Sequence, residues 1–376
     1  MSAQMSELSE FMRQPGATIE VADDFDEINR IYRERNWGDG LPIVPPTAAR
    51  VEQMLAYCDR PWNEAVGKIG PRYGEATPAR IAVSAVMAGA EPRYFPLIVL
   101  ALEALCEKRF NLYGVQATTH NAAPMMIFNG PIAREVGINS GHNAFGPGAH
   151  ANATIGRAVR LALVNIGGSI PMIGDMCTYG SPAKYTYCAA ENEAASPWEP
   201  LHVERGYDIN DTTVTVVGAE CPHNINDHES ITAEGVLQTI AGSMGVAGVN
   251  DVYHDVCEPV VLIGIEHAKT IADGGYTKAA VKKFIVDNAN LPMKKFSREN
   301  IERRLRFWFP GKYDNAGPET LVPMIQRPED LIVVVIGGAG KHSAFIPTFG
   351  ATLSVTRALK RADGALARSV EEFRKR

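Results

Sequence analysis

The sequence predicts an α/β protein: a largely parallel sheet built from repeated βα units, with a helical N-terminal part, in two domains. Three observations carry that expectation. Four short runs rich in Val, Ile and Met each end in a Gly-bearing or polar turn, and three of them lead on into helical periodicity. The chain has 376 residues, 45% of them apolar and 21% charged, which is ample for a buried core and far from the composition of a disordered or fibrous protein. The predicted division is an N-terminal arm and Pro-rich segment over 1–60, a first α/β domain with a Gly-rich loop over 61–210, and a second α/β domain over 211–376.

The elements follow in order. The first thirty residues are polar and lead into a helix at 26–34. Gly38, Gly40, Pro42, Pro45 and Pro46 then set turns and extended backbone, and Thr47 is placed to cap a helix over 48–57. Two apolar helices lie between Thr77 and Lys108, separated by Glu91, Pro92 and Arg93. Another spans 152–164, with Asn152 as its predicted cap. The four strands are 125–128, 213–217, 260–265 and 331–336. Helical periodicity follows at 132–136, at 232–244, and at 268–273 with 277–288 beyond.

Charge and cysteine content exclude several classes. Lys plus Arg number 37 and Asp plus Glu 43, a net charge of −6, which argues against a general affinity for nucleic acid or anionic membrane. The basic stretch 294–312, with Phe296, Phe307, Trp308 and Phe309, is expected to be a solvated helix whose aromatic side packs on the body or on another subunit. The 6 cysteines show no C-x-x-C spacing, and no signal sequence opens the chain, so a reducing cytoplasm is expected. The longest apolar run, 95–102, falls well short of the ~20 residues of a membrane span.

Ligands in open α/β sheets bind where strand carboxyl ends and helix N-termini converge. Those ends carry Asn129, Glu220, His223, Glu266, His267, Lys341, His342 and Ser343. In the loop after the second strand, His223 and His228 stand five apart, and Asp227 is placed to orient an imidazole. One neutral His suffices for a general base. A divalent transition metal needs a third ligand from another strand end or from His120, His142 or His150. Glycines 141, 146 and 148 let the backbone beside His142 and Asn143 approach an anion at a helix N-terminus. A nucleotide cofactor is not expected. The dinucleotide fingerprint fails at Ala151, and the phosphate loop fails at Val335 and His342. Cys177, in a Gly-containing turn, is either a nucleophile or a buried inert thiol. Lys184 and Glu191 form either a substrate clamp or a plain ion pair.

Several strings together resemble a group of uncharacterised bacterial proteins related to the UGSC-motif (seleno)proteins. They are Asp-Gly-Leu-Pro-Ile-Val-Pro-Pro-Thr at 39–47, Asn-Gly-Pro at 129–131, Gly-Pro-Gly at 146–148 with 151–158, Lys184-Tyr185, 196–206, Pro-His-Asn at 222–224, Glu-His-Ala at 266–268 and Gly337-Gly338. The likeness spans nearly the whole chain, and the Cys-Gly-Ser-Cys motif is absent, Cys177 being followed by Thr178. The resemblance implies that these strings belong to one recurrent site and brings no reaction with it.

The expected function is an enzyme that acts on a small polar or anionic substrate by His-centred acid-base chemistry. It would be a hydrolase or a lyase of C–N, C–O or C–S bonds, with metal assistance left open. His223, Asp227, His228, His120, Glu220 and His267 are the expected catalytic set, with Cys177 as the thiol alternative. Asn129, His142, Asn143, Lys184, Glu191, Gly338, Lys341, His342 and Ser343 are the expected substrate contacts. A non-catalytic scaffold subunit is the rival from another class, and a homo-oligomer is expected on composition.

Overall fold

The computed structural model describes residue 10 and residues 18–375. Helix α1 (Phe25–Glu34) starts at Asp24, whose carboxylate accepts the Glu27 N–H. Helix α2 (Ala48–Leu55) follows Thr47, but the expected cap is not made, because the Thr47 side chain forms no hydrogen bond to the first turn. A short hairpin of β1 (Lys68–Ile69) and β2 (Gly74–Glu75) precedes α3 (Pro78–Ala88) and α4 (Phe95–Leu105). The Pro-led turn Pro92–Tyr94 separates these two helices, and α5 (Leu112–Ala117) follows.

The sheets overturn the parallel reading. Strand β3 (Ala123–Asn129) leads through α6 (Pro131–Glu135) and the long α7 (His150–Asn165) to β4 (Cys188–Ala190), then through α8 (Leu201–Glu204) to β5 (Thr213–Ala219). Next come β6 (His223–Asn226), α9 (Ala233–Ser243), β7 (Val260–Ile263), α10 (Ile265–Asp273) and α11 (Lys278–Asn288). A small hairpin of β8 (Asn290–Pro292) and β9 (Leu321–Pro323) precedes β10 (Ile332–Val335), β11 (His342–Ile346) and β12 (Val355–Ala358). Two four-stranded sheets form, ordered β12-β5-β3-β4 and β10-β7-β11-β6. Only β3 with β4, and β10 with β7, run parallel. The other pairs in both sheets are antiparallel.

The continuous apolar strands have a different cause. Along β3, Ala123, Met125 and Ile127 pack into a central cluster with Val260, Leu262, Ile332, Val334 and Ile346 of the other sheet. Met126 and Phe128, on the opposite face, pack against the helices of the first half. Val261, Ile263, Val333 and Val335 likewise turn to α9–α11. Each sheet is therefore covered by helices on one side and by its fellow on the other, giving four layers: helices, sheet, sheet, helices. Burial on both faces erases the period-2 alternation that normally marks an antiparallel strand.

The two sheets share one topology, and each takes its antiparallel edge strand from the other half. After β5 the chain leaves the first sheet to place β6 beside β11, and after β11 it leaves the second to place β12 beside β5. The crossing segments bond to each other: Glu220 N donates to Pro347 O at 2.9 Å, and Phe349 N to Gly218 O at 2.8 Å. Residues after 210 thus build parts of both sheets. The basic stretch is a run of short helical turns. It buries Phe296 and Phe309 and leaves Phe307 and Trp308 exposed. No helix among the described residues is long and apolar enough to cross a membrane.

Candidate functional site

The structure separates the predicted histidines into several places. His223, on the edge strand β6, is exposed and makes no side-chain hydrogen bond among the described residues. The Asp227 carboxylate does not orient an imidazole. It accepts the Thr239 hydroxyl at 2.6 Å and the Ser230 N–H at 3.0 Å; burial opposes its charge, but these bonds hold its pKa down at about 2. His228 Nε2 lies 3.3 Å from His342 Nε2 at the surface, and Lys341 donates to the His228 carbonyl at 2.7 Å. His267 and Ser343 are buried in a closed chain of bonds. His267 Nε2 donates to Asp227 O at 3.0 Å, so its Nδ1 accepts the Ser343 hydroxyl at 2.8 Å, and Ser343 Oγ accepts the Gly264 N–H at 3.2 Å. Both ring nitrogens are used, so His267 ties strands together.

The Gly-rich loop closes on itself. Asn143, in the left-handed region at φ 60, donates to Pro147 O at 2.5 Å. Asn152 caps nothing: α7 begins at His150, and the buried Asn152 amide binds Asn139 N and O and Ala144 O. The exposed His142 ring lies where a Cβ on Gly338 would stand, 2.1 Å from its Nδ1, so the loop presses against the end of β10.

At the strand crossing, His120 Nε2 lies 2.6 Å from Glu220 Oε1 and its Nδ1 lies 3.3 Å from the Asn250 amide. Beside them the fully buried Asp251 accepts Thr348 N and Thr348 Oγ1. Burial pushes the Asp251 carboxyl up from 3.8 to about 6, and the Glu220 charge adds to the rise, against the Thr348 bonds. A carboxyl raised in the folded state binds its proton more tightly there than in the unfolded chain, so its contribution to stability falls as pH rises from about 4 through 6. Melting temperature measured from pH 4 to 8 should show that decline, and Asp251→Asn should flatten it. An unchanged profile in the variant would remove Asp251 as its source.

The ends of β3 and β4 do bring predicted residues together. Asn129 Nδ2 donates to Glu191 Oε2 at 2.7 Å and to Glu193 Oε1 at 3.2 Å, and Leu201 N donates to the same Glu191 oxygen at 2.8 Å. Burial raises the Glu191 pKa, and its other oxygen has no hydrogen-bond partner among the described residues. A cavity of about 280 Å³ lies here, between Arg134, Ser140 and residues 190–194.

Lys184 does not pair with Glu191. It bonds both oxygens of Asp175, at 2.7 and 2.8 Å, and Arg160 reaches the same carboxylate at 3.1 Å. Burial works against the Asp175 charge, but the Lys184 bond and the charges of Lys184 and Arg160 outweigh it and hold its pKa low. Asp175 also accepts the Cys177 N–H at 3.1 Å, which shapes the turn that carries the thiol. Cys177 Sγ accepts the Gly180 N–H at 3.3 Å and lies 3.7 Å from Asn121 Oδ1. Gly180, at φ 67, takes the left-handed conformation that aims this N–H.

These groups line a cleft of about 900 Å³. Its walls are Tyr32 and Arg33 of α1, the segment 36–40, Arg160 of α7 and the loop 170–185. The segment is pinned by Arg157, which bonds both Asp39 oxygens at 2.7 and 2.9 Å and Pro42 O at 2.9 Å. Met172 (86% exposed), Met176 and Tyr179 (79%) give the rim an apolar surface. A volume in the range of about 300–1,000 Å³, apolar walls and a few convergent polar groups are what a small-molecule site has. Arg160 and Asp175 are members that the sequence did not single out, whereas Asp39 stands in one of the strings that the resemblance assigns to a common site. The available signal was the position of Asp175 two residues before Cys177.

No family model, curated protein or solved structure matches this chain. Among the described residues, no three His, Cys, Asp or Glu side chains converge as a metal-ligand set. His228 does meet a strand-end ligand, His342, but among the described residues neither its expected partner His223 nor His120, His142 or His150 completes a set of three with them.

Proposed function

We propose that the chain is an enzyme that binds a small anionic molecule in the 900 Å³ cleft and cleaves a C–N, C–O or C–S bond in it through Cys177. The observation that carries this reading is a thiol beside two cations that share one carboxylate. Arg160 and Lys184 against Asp175 leave one positive charge in excess, which draws a substrate carboxylate or phosphate. The apolar rim receives the rest of the molecule. The Cys177 thiolate attacks an acyl or amidine carbon, the adduct expels the amine, alkoxide or thiolate, which takes its proton from water, and a second water hydrolyses the thioester or thioimidate and restores the thiol. The strings that resemble the UGSC-motif group support the same place: Asp39, Gly40, Lys184 and Tyr185 line the cleft, and Arg157 holds Asp39. Membership of that group is proposed on these residues.

Alkylation tests the reading without a known substrate. The ratio of iodoacetate to neutral iodoacetamide labelling, measured by mass spectrometry, should be higher at Cys177 than at Cys221, because the excess positive charge attracts the anionic reagent. Lys184→Met should abolish that preference. The half-buried Cys221 serves as the internal control. A Cys177 that shows no more preference for the anion than Cys221 would sink the proposal. A second reading rests on the His120–Glu220 pair, 2.6 Å apart with side chains 18% and 24% exposed, as an acid-base dyad. Turnover lost in His120→Gln and kept in Cys177→Ser would transfer the assignment to it.

A further inference from the structure

A second cavity, of about 530 Å³, lies between the β1–β2 hairpin and the segment joining α4 to α5, and it shares no lining residue with the cleft. Tyr73 and Tyr113 stand at its mouth with rings nearly parallel, 9° apart in plane and 6.1 Å between centroids. They are 57% and 51% exposed, so two broad aromatic faces are left in water. Tyr73 sits in the left-handed region at φ 57, where a side chain other than glycine's is strained. The hairpin enforces that conformation: Arg72 N donates to Gly167 O at 2.8 Å, and a Cβ on Gly74 would meet Ile166 O.

The charges of this cavity are unevenly satisfied. Glu103 is bonded by Arg60 at 2.5 Å and neighboured by Arg357 at 3.7 Å, and Arg357 also bonds Glu107. Lys68 and Lys108, both exposed and both lining the cavity, have no acidic partner among the described residues. Two ammonium groups are therefore free to meet an anion beside two free ring faces.

We propose that this cavity binds a small planar aromatic anion, its ring stacked at the Tyr73–Tyr113 pair and its anionic group held by Lys68 and Lys108. Stacking of a flat ring on tyrosine is sequence-independent π-face contact, and it leaves the anionic group to set orientation. The ligand class covers aromatic carboxylates and nucleoside phosphates, which share this chemistry.

Calorimetric titration of the full chain with 2-naphthoate and with AMP tests the proposal and separates the two sources. At least one probe should bind one-to-one in the millimolar range or tighter, on the order of the 4 kcal/mol or more that such affinity represents. Tyr113→Ala should weaken binding about tenfold, the scale of one lost ring stack. The double variant Lys68→Ala, Lys108→Ala should weaken it by at least as much and remove its salt dependence. All three side chains are exposed, so melting temperatures should stay at the parental value. Neither probe binding, or binding unaffected by both variants, would overturn the assignment. So would sedimentation showing a dimer that Tyr113→Ala dissociates, because the rings would then pack on a second copy.

Discussion

Asp175→Ala is expected to destabilise the protein by about 3–5 kcal/mol, the cost of leaving buried charges without their counterion. Its side chain is 4% exposed, and those of Arg160 and Lys184 are 11% exposed each, so without the carboxylate both cations stand largely out of water. The variant leaves two like charges facing each other and removes the acceptor of the Cys177 N–H. Asp175→Asn keeps that acceptor and still loses the charge, so most of the cost should remain. Adding Lys184→Met to Asp175→Asn removes the uncompensated ammonium and should recover a large part of the loss. Urea midpoints give the three values directly. Glu27→Ala, which breaks the exposed pair with Arg30 on α1, is the reference and should leave the urea midpoint close to the parental value. If Asp175→Ala unfolds no more readily than Glu27→Ala, the triad does not hold the cleft together.

The reach of the sequence reading follows from what kind of information each feature needs. Helix positions were legible because apolar periodicity is local, and α10 and α11 fall where it predicts. The caps were not: Thr47 and Asn152, named from the sequence, make no capping bond, while Asp24, Thr232 and Thr277 each accept the backbone N–H three residues on. Strand positions were legible for the same reason as helix positions, since β3, β5, β7 and β10 are apolar runs. Their pairing was not. A run buried against helices on one face and a second sheet on the other reads like a strand of a parallel sheet, and β6 and β12 are polar edge strands that carry no comparable signal. Nothing local tells β12 that its partner is β5. The site shows the same division. Asn129 and Glu191, 62 residues apart, meet because parallel β3 and β4 end together, as strand-end reasoning expects. Lys184 lies seven residues before Glu191 and nine after Asp175, and spacing alone does not choose between them. The fold chooses Asp175, because the turn over 170–175 brings that carboxylate back onto Arg160 of α7.

Gly130→Ala is the second substitution expected to be severe, and it tests the link between backbone shape and the Asn129–Glu191 pair. Gly130 ends β3 at φ +91, a conformation that costs a side-chain-bearing residue roughly 1–3 kcal/mol. An added Cβ would also stand 2.2 Å from Asp211 O and 2.8 Å from Thr212 Cα. These are backbone atoms on the segment entering β5, fixed by the Asn129–Thr213 register and by the Thr212 hydroxyl, which accepts the Ile132 N–H at 2.9 Å. They cannot swing aside as a flexible side chain would, so relief requires parting β3 from β5, and overpacking of this kind adds about 1–3 kcal/mol. The expected total is about 2–5 kcal/mol, because the two costs are incurred by the same atom and do not add fully. Gly137→Ala isolates the first of them: it has φ +78 with nothing within 4 Å of the added carbon, and should cost only the strain. The difference between the two urea midpoints therefore measures how tightly the β3 end is held against β5. Parting the strands also withdraws Gly130 N from Glu193 Oε1, a bond of 2.6 Å, and shifts Asn129 from Glu191. Equal losses in the two variants would mean that the β3 end yields freely, and that the pocket beside Glu191 is held by its own hydrogen bonds and not by the strand junction.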